Sequence, residues 1–303
     1  MKLPALSLAI LLLAGPAVAA GTLDEGMQAL KDAVAKKDVD QVKKQAPELY
    51  AQAHEAAAEP APTDADEKGA WTNRVEFAKS VEEYSEYALY ATAVQSPAET
   101  QVDLFATLEK MSPKSKYLDE GYGAYLVALN QTGASAKVLP MAEKALANFP
   151  ENEDLLLLLA DSALSKNNPD RALALANRVI AAYNKHTKPE GMSAADWDKK
   201  KSAGLGRGYW IAGVVYGAKN QYVNCDKDLR AALPLIQGNA AMTGPALFFL
   251  GMANYNLGKM TNSKAKVQEA AKFSEQSAAI PGAYADQARH NALVMRDEAA
   301  KMR

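Results

Sequence analysis

Three histidines, one cysteine and 36 acidic residues are the stock from which a catalytic or metal-binding site would have to be built. A zinc or di-metal site needs two or more ligands converging from one helical face or loop. His54, His186 and His290 are far apart in sequence, and none has a second histidine or a carboxylate at metal spacing with a matching helical face. His54-Glu55 lacks the later histidine that a zinc-protease helix supplies. There is no Gly-x-Ser-x-Gly elbow and no Walker loop. Gly204-Leu205-Gly206-Arg207-Gly208 has the look of a phosphate nest, but it follows no strand and lacks a third glycine at dinucleotide spacing. It reads as a flexible turn opening a helix. Adjacent acids such as Glu82-Glu83 and Asp119-Glu120 read as solvent-facing helix charges. Cys225 stands alone, which excludes an internal disulfide and any cysteine-built metal site, and its surroundings suit a small packing residue. The expectation is therefore no catalytic residues, no cofactor, no metal and no enzyme.

The elements around these residues read as helix after helix. Alanine is abundant, in runs such as Ala56-Ala57-Ala58, and hydrophobic residues make up 49% of a 303-residue chain. Alanine loses no side-chain entropy in a helix, so such segments favour one. Basic and acidic residues nearly cancel, 34 against 36, which leaves no electrostatic footprint for nucleic acid. Lys2, the apolar run Ala5 to Leu13 and the small-x-small Ala17-Val18-Ala19 read as a cleaved secretory leader over 1–20. The run is too short to span a bilayer, and no later segment reaches that length. No cysteine lies near the cleavage site to carry a lipid. A soluble, periplasmic protein is expected. The remaining expected divisions are a helical hairpin over 21–58, a mobile Pro-containing linker over 59–67 and a helical domain over 68–303. Corners are expected at Ser96-Pro97, Ser112-Pro113, Gly133, Pro150, Asn168-Pro169, Gly258 and Pro281.

The corners recur. Tyr209, Ala212-Gly213, Tyr216, Cys225, Leu229 and Ala232 follow a spacing that returns at Leu247, Leu250-Gly251, Leu257-Gly258, Val267 and Ala270. Leu156, Leu159-Ala160, Ala163, Ala172, Ala176 and Val179 fit it too, as do Tyr122, Leu126, Leu129, Val138, Ala142, Ala145 and Pro150. Equivalent small-residue slots at 126 and 160 lie 34 apart, and the step from 160 to 213 carries an insertion through the polar stretch Lys185 to Lys201. This pattern resembles the tetratricopeptide repeat, with Tyr209 in the tryptophan slot and Cys225 in the small-residue slot. The resemblance covers about residues 80 to 280. It implies an all-α, right-handed superhelical solenoid of antiparallel helix pairs.

The same resemblance implies a binding protein whose concave face takes an extended peptide or a partner helix. Offset from the core stripe of the Tyr209 helix stand Trp210 and Val214; the next inner helix offers Phe248, Met252 and Tyr255 at i, i+4 and i+7. These five read either as an apolar groove for a partner or as a surface covered by the C-terminal helix around Tyr284 to Met302 or by a neighbouring repeat. The groove reading makes the chain a non-catalytic scaffold of the cell envelope with a protein or peptide partner. A small-ligand receptor or a cell-wall-associated accessory enzyme is the other class, and self-pairing of the apolar face into a homo-oligomer is a third. Trp210, Val214, Phe248 and Met252 stand where a carboxylate clamp would need Lys, Arg and Asn, which argues against that mode.

Overall fold

A computed structural model describes residues 17–189 and 192–302. The charged and apolar regions of the expected leader lie outside these residues. Thirteen α-helices follow one another, with no strand among the described residues: α1 (Ala17–Ala35), α2 (Val39–Ala57), α3 (Lys68–Ala93), α4 (Ala98–Met111), α5 (Lys116–Gln131), α6 (Ser135–Asn148), α7 (Glu153–Ser165), α8 (Pro169–Lys185), α9 (Ala194–Ala218), α10 (Tyr222–Ala232), α11 (Ala240–Met260), α12 (Lys264–Ala278) and α13 (Ala285–Lys301). α1 with α2, α3 with α4, α7 with α8, α9 with α10 and α11 with α12 pair as antiparallel hairpins, as short corners require.

One local device ends five of the helices. Lys37, Gly133, Asn167, Asn220 and Asn262 all have positive φ, between 47° and 77°. Each follows an odd-numbered helix. In each case the next residue's N–H reaches back five positions: Asp38 to Ala33 O, Ala134 to Leu129 O, Asn168 to Ala163 O, Gln221 to Tyr216 O and Ser263 to Gly258 O. These are Schellman caps, in which one left-handed residue satisfies carbonyls the helix end would leave orphaned. Asp38 and Asn168 then cap the following helix, accepting from the N–H of Gln41 and Arg171. Asparagine or glycine tolerates the left-handed region, which is why four of the five positions carry them. The sequence reading put a corner at Gly258, but Gly258 lies within α11 and the chain turns at Asn262.

The chain divides into two compact units, Met1–Ser135 and Ala136–Arg303. In the first, α1, α3 and α5 touch in succession, and so do α2 and α4. Across the stretch 59–67, α2 packs on α3, and the Trp71 Nε1–H donates to Glu59 O at 3.0 Å. In the second, α7, α9, α11 and α13 form an inner row in which each helix touches the next, with α8, α10 and α12 packed between them from outside. Close approach of paired helices demands small residues. A Cβ on Gly213 of α9 would stand 2.5 Å from Leu229 of α10, and one on Gly251 of α11 would stand 2.5 Å from Ser274 Oγ of α12. Cys225, Leu229 and Ala232 fill the adjoining core with Ala246, Leu250 and Ala253. Burying side chains of this kind stabilises the stack by about 1.5–3 kcal/mol for each large one.

Candidate functional site

The inner row of the second unit carries all five residues singled out from sequence, and divides them between two seams. Along α9, Lys200, Arg207, Trp210 and Val214 follow helical spacing on the side that meets α7 and α11. Lys200 Nζ lies 2.8 Å from Asp154 and 3.3 Å from Glu153 of α7. Burial would push the Lys200 ammonium down, but the Asp154 and Glu153 carboxylates outweigh it and hold it above its ordinary value. Arg207 Nε donates to Asp161 at 2.7 Å, and its guanidinium lies 4.5 Å from the centre of the Trp210 ring. The indole N–H donates to Met242 O at 2.8 Å, fastening α9 to the first turn of α11. Val214 is 7% exposed and belongs to the core between these helices.

The second seam joins α11 to α13. Phe248 is 6% exposed, its ring 4.6 Å from that of Tyr284 at the head of α13. Met252 and Tyr255 pack against Val267, Ala270 and Ala271 of α12 and against Met295 and Ala299 of α13. Asn291 Nδ2 lies 3.3 Å from Met252 Sδ. Burial, and then the hydrogen bond to Glu298, push the Tyr255 hydroxyl up. The five therefore do not line one open groove. Val214 and Phe248 are interior, while Trp210, Met252 and Tyr255 keep part of their surface free at the seams.

Other residues weighed from sequence find plain structural settings. Gly204 to Gly208 is no turn: α9 begins at Ala194 and runs through all of it, and the residues labelled as insertion supply its first two turns. Cys225 is buried beside Phe249 O, its thiol pushed by burial up to about 12. His54 Nδ1 lies 2.6 Å from Glu82, and His186 Nδ1 lies 3.0 Å from Glu153. Both are side-chain pairs between neighbouring helices or at a helix end.

A feature that sequence reading passed over lies in the first unit. Tyr84, Tyr87 and Tyr90 occur at three-residue steps on α3, and Tyr117 opens α5. Their rings touch in a chain: Tyr84 to Tyr87 at 6.0 Å, Tyr87 to Tyr117 at 5.5 Å and Tyr117 to Tyr90 at 5.7 Å. Tyr90 continues inward to Phe105, and Phe105 stacks on Tyr125 at 5.3 Å. The only hint in sequence was the excess of tyrosine, 13 against 6 Phe and 3 Trp.

Residues 129–190, which span the Gly133 and Asn167 corners, match the family model of the tetratricopeptide repeat. The chain carries a tetratricopeptide repeat over these residues. In the matched stretch the two left-handed corners stand 34 residues apart, the period of that repeat. No curated protein matches the chain. Tetratricopeptide repeats generally mediate protein–protein interaction. Among the described residues, no helix is long and apolar enough to cross a membrane.

Proposed function

We propose that this tetratricopeptide chain is a non-catalytic scaffold of the cell envelope. It is exported by the leader read at 1–20 and holds a partner peptide or helix on the inner row of its second unit. The observation that supports the reading is the continuity of that row. α7, α9, α11 and α13 touch one after another, and Trp210, Met252 and Tyr255 leave partly open edges along their seams. Aromatic and methionine side chains held in place by their own packing are good anchors, because little conformational entropy remains to be lost on binding. The salt bridges of Lys200 and Arg207 fix the register of α9 against α7, so the face is presented rigidly.

Site-specific photocrosslinking in envelope-containing cells tests this. A crosslinking residue at Met252 or Tyr255 should capture a discrete partner. The same residue at Val223, on the exposed first turn of α10, should not. Capture from Val223 alone, or capture of nothing from the inner row, would sink the proposal.

A further inference from the structure

In the first unit, Tyr84 and Tyr87 of α3 and Tyr117 of α5 form a stripe with a lysine at each end. At one end Lys31 Nζ of α1 lies 5.5 Å from the centre of the Tyr84 ring. At the other, Lys116 Nζ of α5 lies 4.9 Å from the centre of the Tyr117 ring. Tyr87 sits between them, touched by two other rings yet 41% exposed. Among the described residues the hydroxyls of Tyr84 and Tyr87 make no hydrogen bond, so both are free to donate outward.

The charges beside the stripe are unequal in their freedom. Glu83 is taken by Lys116 and by the Tyr117 hydroxyl. Glu82 is taken by His54 and Glu86 by the Ser115 hydroxyl. Lys31 has no ion pair among the described residues, so the charge left without a counterpart is positive. A row of ring faces with free hydroxyls on Tyr84 and Tyr87 and an unpaired ammonium group at the Lys31 end asks for a ligand with apolar side chains, open backbone carbonyls and an acid. A polyproline II segment has no internal hydrogen bonds, leaves every carbonyl available and packs its rings on aromatic side chains. An amphipathic helix would instead need a long continuous apolar trough, whereas this row of three rings carries hydroxyls and ends on a lysine at each side.

We propose that the Lys31–Tyr84–Tyr87–Tyr117–Lys116 stripe docks an extended, proline-containing segment of a partner protein, with an acidic residue meeting Lys31. This deepens the scaffold reading and rests on it. Neighbouring helices pack about 8–10 Å apart, so the stripe spans on the order of 20 Å. At about 3.1 Å per residue, six or seven residues of polyproline II would cross it.

Titration calorimetry on the full chain tests the proposal, with a synthetic peptide of six prolines flanked by one glutamate at each end. Saturable binding is expected, weakened about tenfold or more by Tyr87→Ala, the loss typical of an aromatic anchor. Lys31→Glu should weaken this peptide and improve binding of the lysine-flanked counterpart. Lys31 is exposed, so that variant keeps the test decisive even if circular dichroism shows Tyr87→Ala to be misfolded. No binding to the unmodified chain, equal binding of an alanine-for-proline peptide, or indifference to Lys31→Glu would overturn the proposal. So would preferential binding of a chitin hexamer, which would make the stripe a sugar platform. If the peptide fails while Met252 still crosslinks to a partner, the scaffold reading stands and the tyrosine docking falls.

Discussion

Gly204 of α9 lies directly under the ring of Tyr183 of α8, so closely that a Cβ at 204 would stand 2.0 Å from the ring's Cε2. Tyr183 is almost fully buried, and Trp197, seven residues before Gly204 on α9, covers it further with a ring 6.1 Å away. The missing side chain at 204 is what lets α9 and α8 close around that ring. Gly204→Ala should therefore destabilise the chain by about 1–3 kcal/mol, the range for overpacking a filled core. Helix propensity alone would give the opposite sign, since alanine in a helix is favoured over glycine by about 0.8–1 kcal/mol. Gly69 of α3 is the control. A Cβ there meets nothing within 4 Å, and Gly69→Ala should raise stability by a few tenths up to about 1 kcal/mol. Urea unfolding of the two variants reads the contrast.

Asn254 of α11 is fully buried and ties three helices together. Its Nδ2 donates to Asp226 of α10 at 2.6 Å and to Leu250 O, while its Oδ1 accepts from Arg230 Nη2 at 3.2 Å. Arg230 continues to Glu269 of α12 at 2.9 Å. Asn254→Ala removes the centre of this network and strands polar atoms away from water, at a cost of about 1–3 kcal/mol. Glu269→Ala touches only the partly exposed outer pair and should cost no more than about 1 kcal/mol. Thermal unfolding of both variants checks the ranking; equal losses would show that the network has no buried centre.

How much of this was readable beforehand follows from what each residue type encodes. The helix pairs were, because Gly213, Cys225 and Gly251 sit at small-residue slots and the structure puts each at a close crossing. The glycines at 204 and 208 were misread because glycine in isolation signals a turn. Their four-residue spacing, facing Tyr183 and the Val179–Ile180 pair on α8, was the helical sign that outweighs it. Of the five candidate site residues, periodicity put Trp210 and Val214 on one side of α9 and Phe248, Met252 and Tyr255 on one side of α11. It could not tell whether α13 would cover that face, because cover depends on where the chain turns after Pro281. The tyrosine stripe was invisible for a related reason: Tyr84 and Tyr117 are separated by a whole hairpin, and only stacking of α3 on α5 brings Tyr87 and Tyr117 within 5.5 Å.

The thiol of Cys225 provides a direct probe of the core. It is buried against Phe249 O at 3.7 Å, with Gly217 of α9 pressed close, and its ionisation is pushed up to about 12. A thiol is nucleophilic only as the thiolate. Ellman's reagent at pH 8 should therefore leave the native chain unlabelled and titrate one thiol on denaturation. Fast labelling of the folded protein would show that the α9–α10–α11 core opens or that the thiol is differently placed.

Asp228 sets the last expectation, one of pH. It lies on α10 at 7% exposure, and burial pushes its carboxyl above the ordinary value, with Lys227 only partly opposing that shift. A raised carboxyl pKa in the folded chain means that the folded state holds its proton at pH values where the unfolded state has lost it. Stability contributed at this position therefore falls as pH rises from the unfolded value of 3.8 through the raised folded value, and stays low above it. Asp228→Asn removes the charge without removing the shape. It should be more stable than the parent at pH 7, and the advantage should shrink as pH falls and be gone near pH 3.5. Glu83 makes the opposite case: its hydrogen bond to Lys116 holds its carboxyl low. Its small, solvent-screened contribution is present above the unfolded value and lost on acidification. Unfolding midpoints for parent, Asp228→Asn and Glu83→Gln across pH 3.5 to 8 separate the two signs. A gain for Asp228→Asn that persists undiminished at pH 3.5 would mean the carboxylate is not the source of the strain.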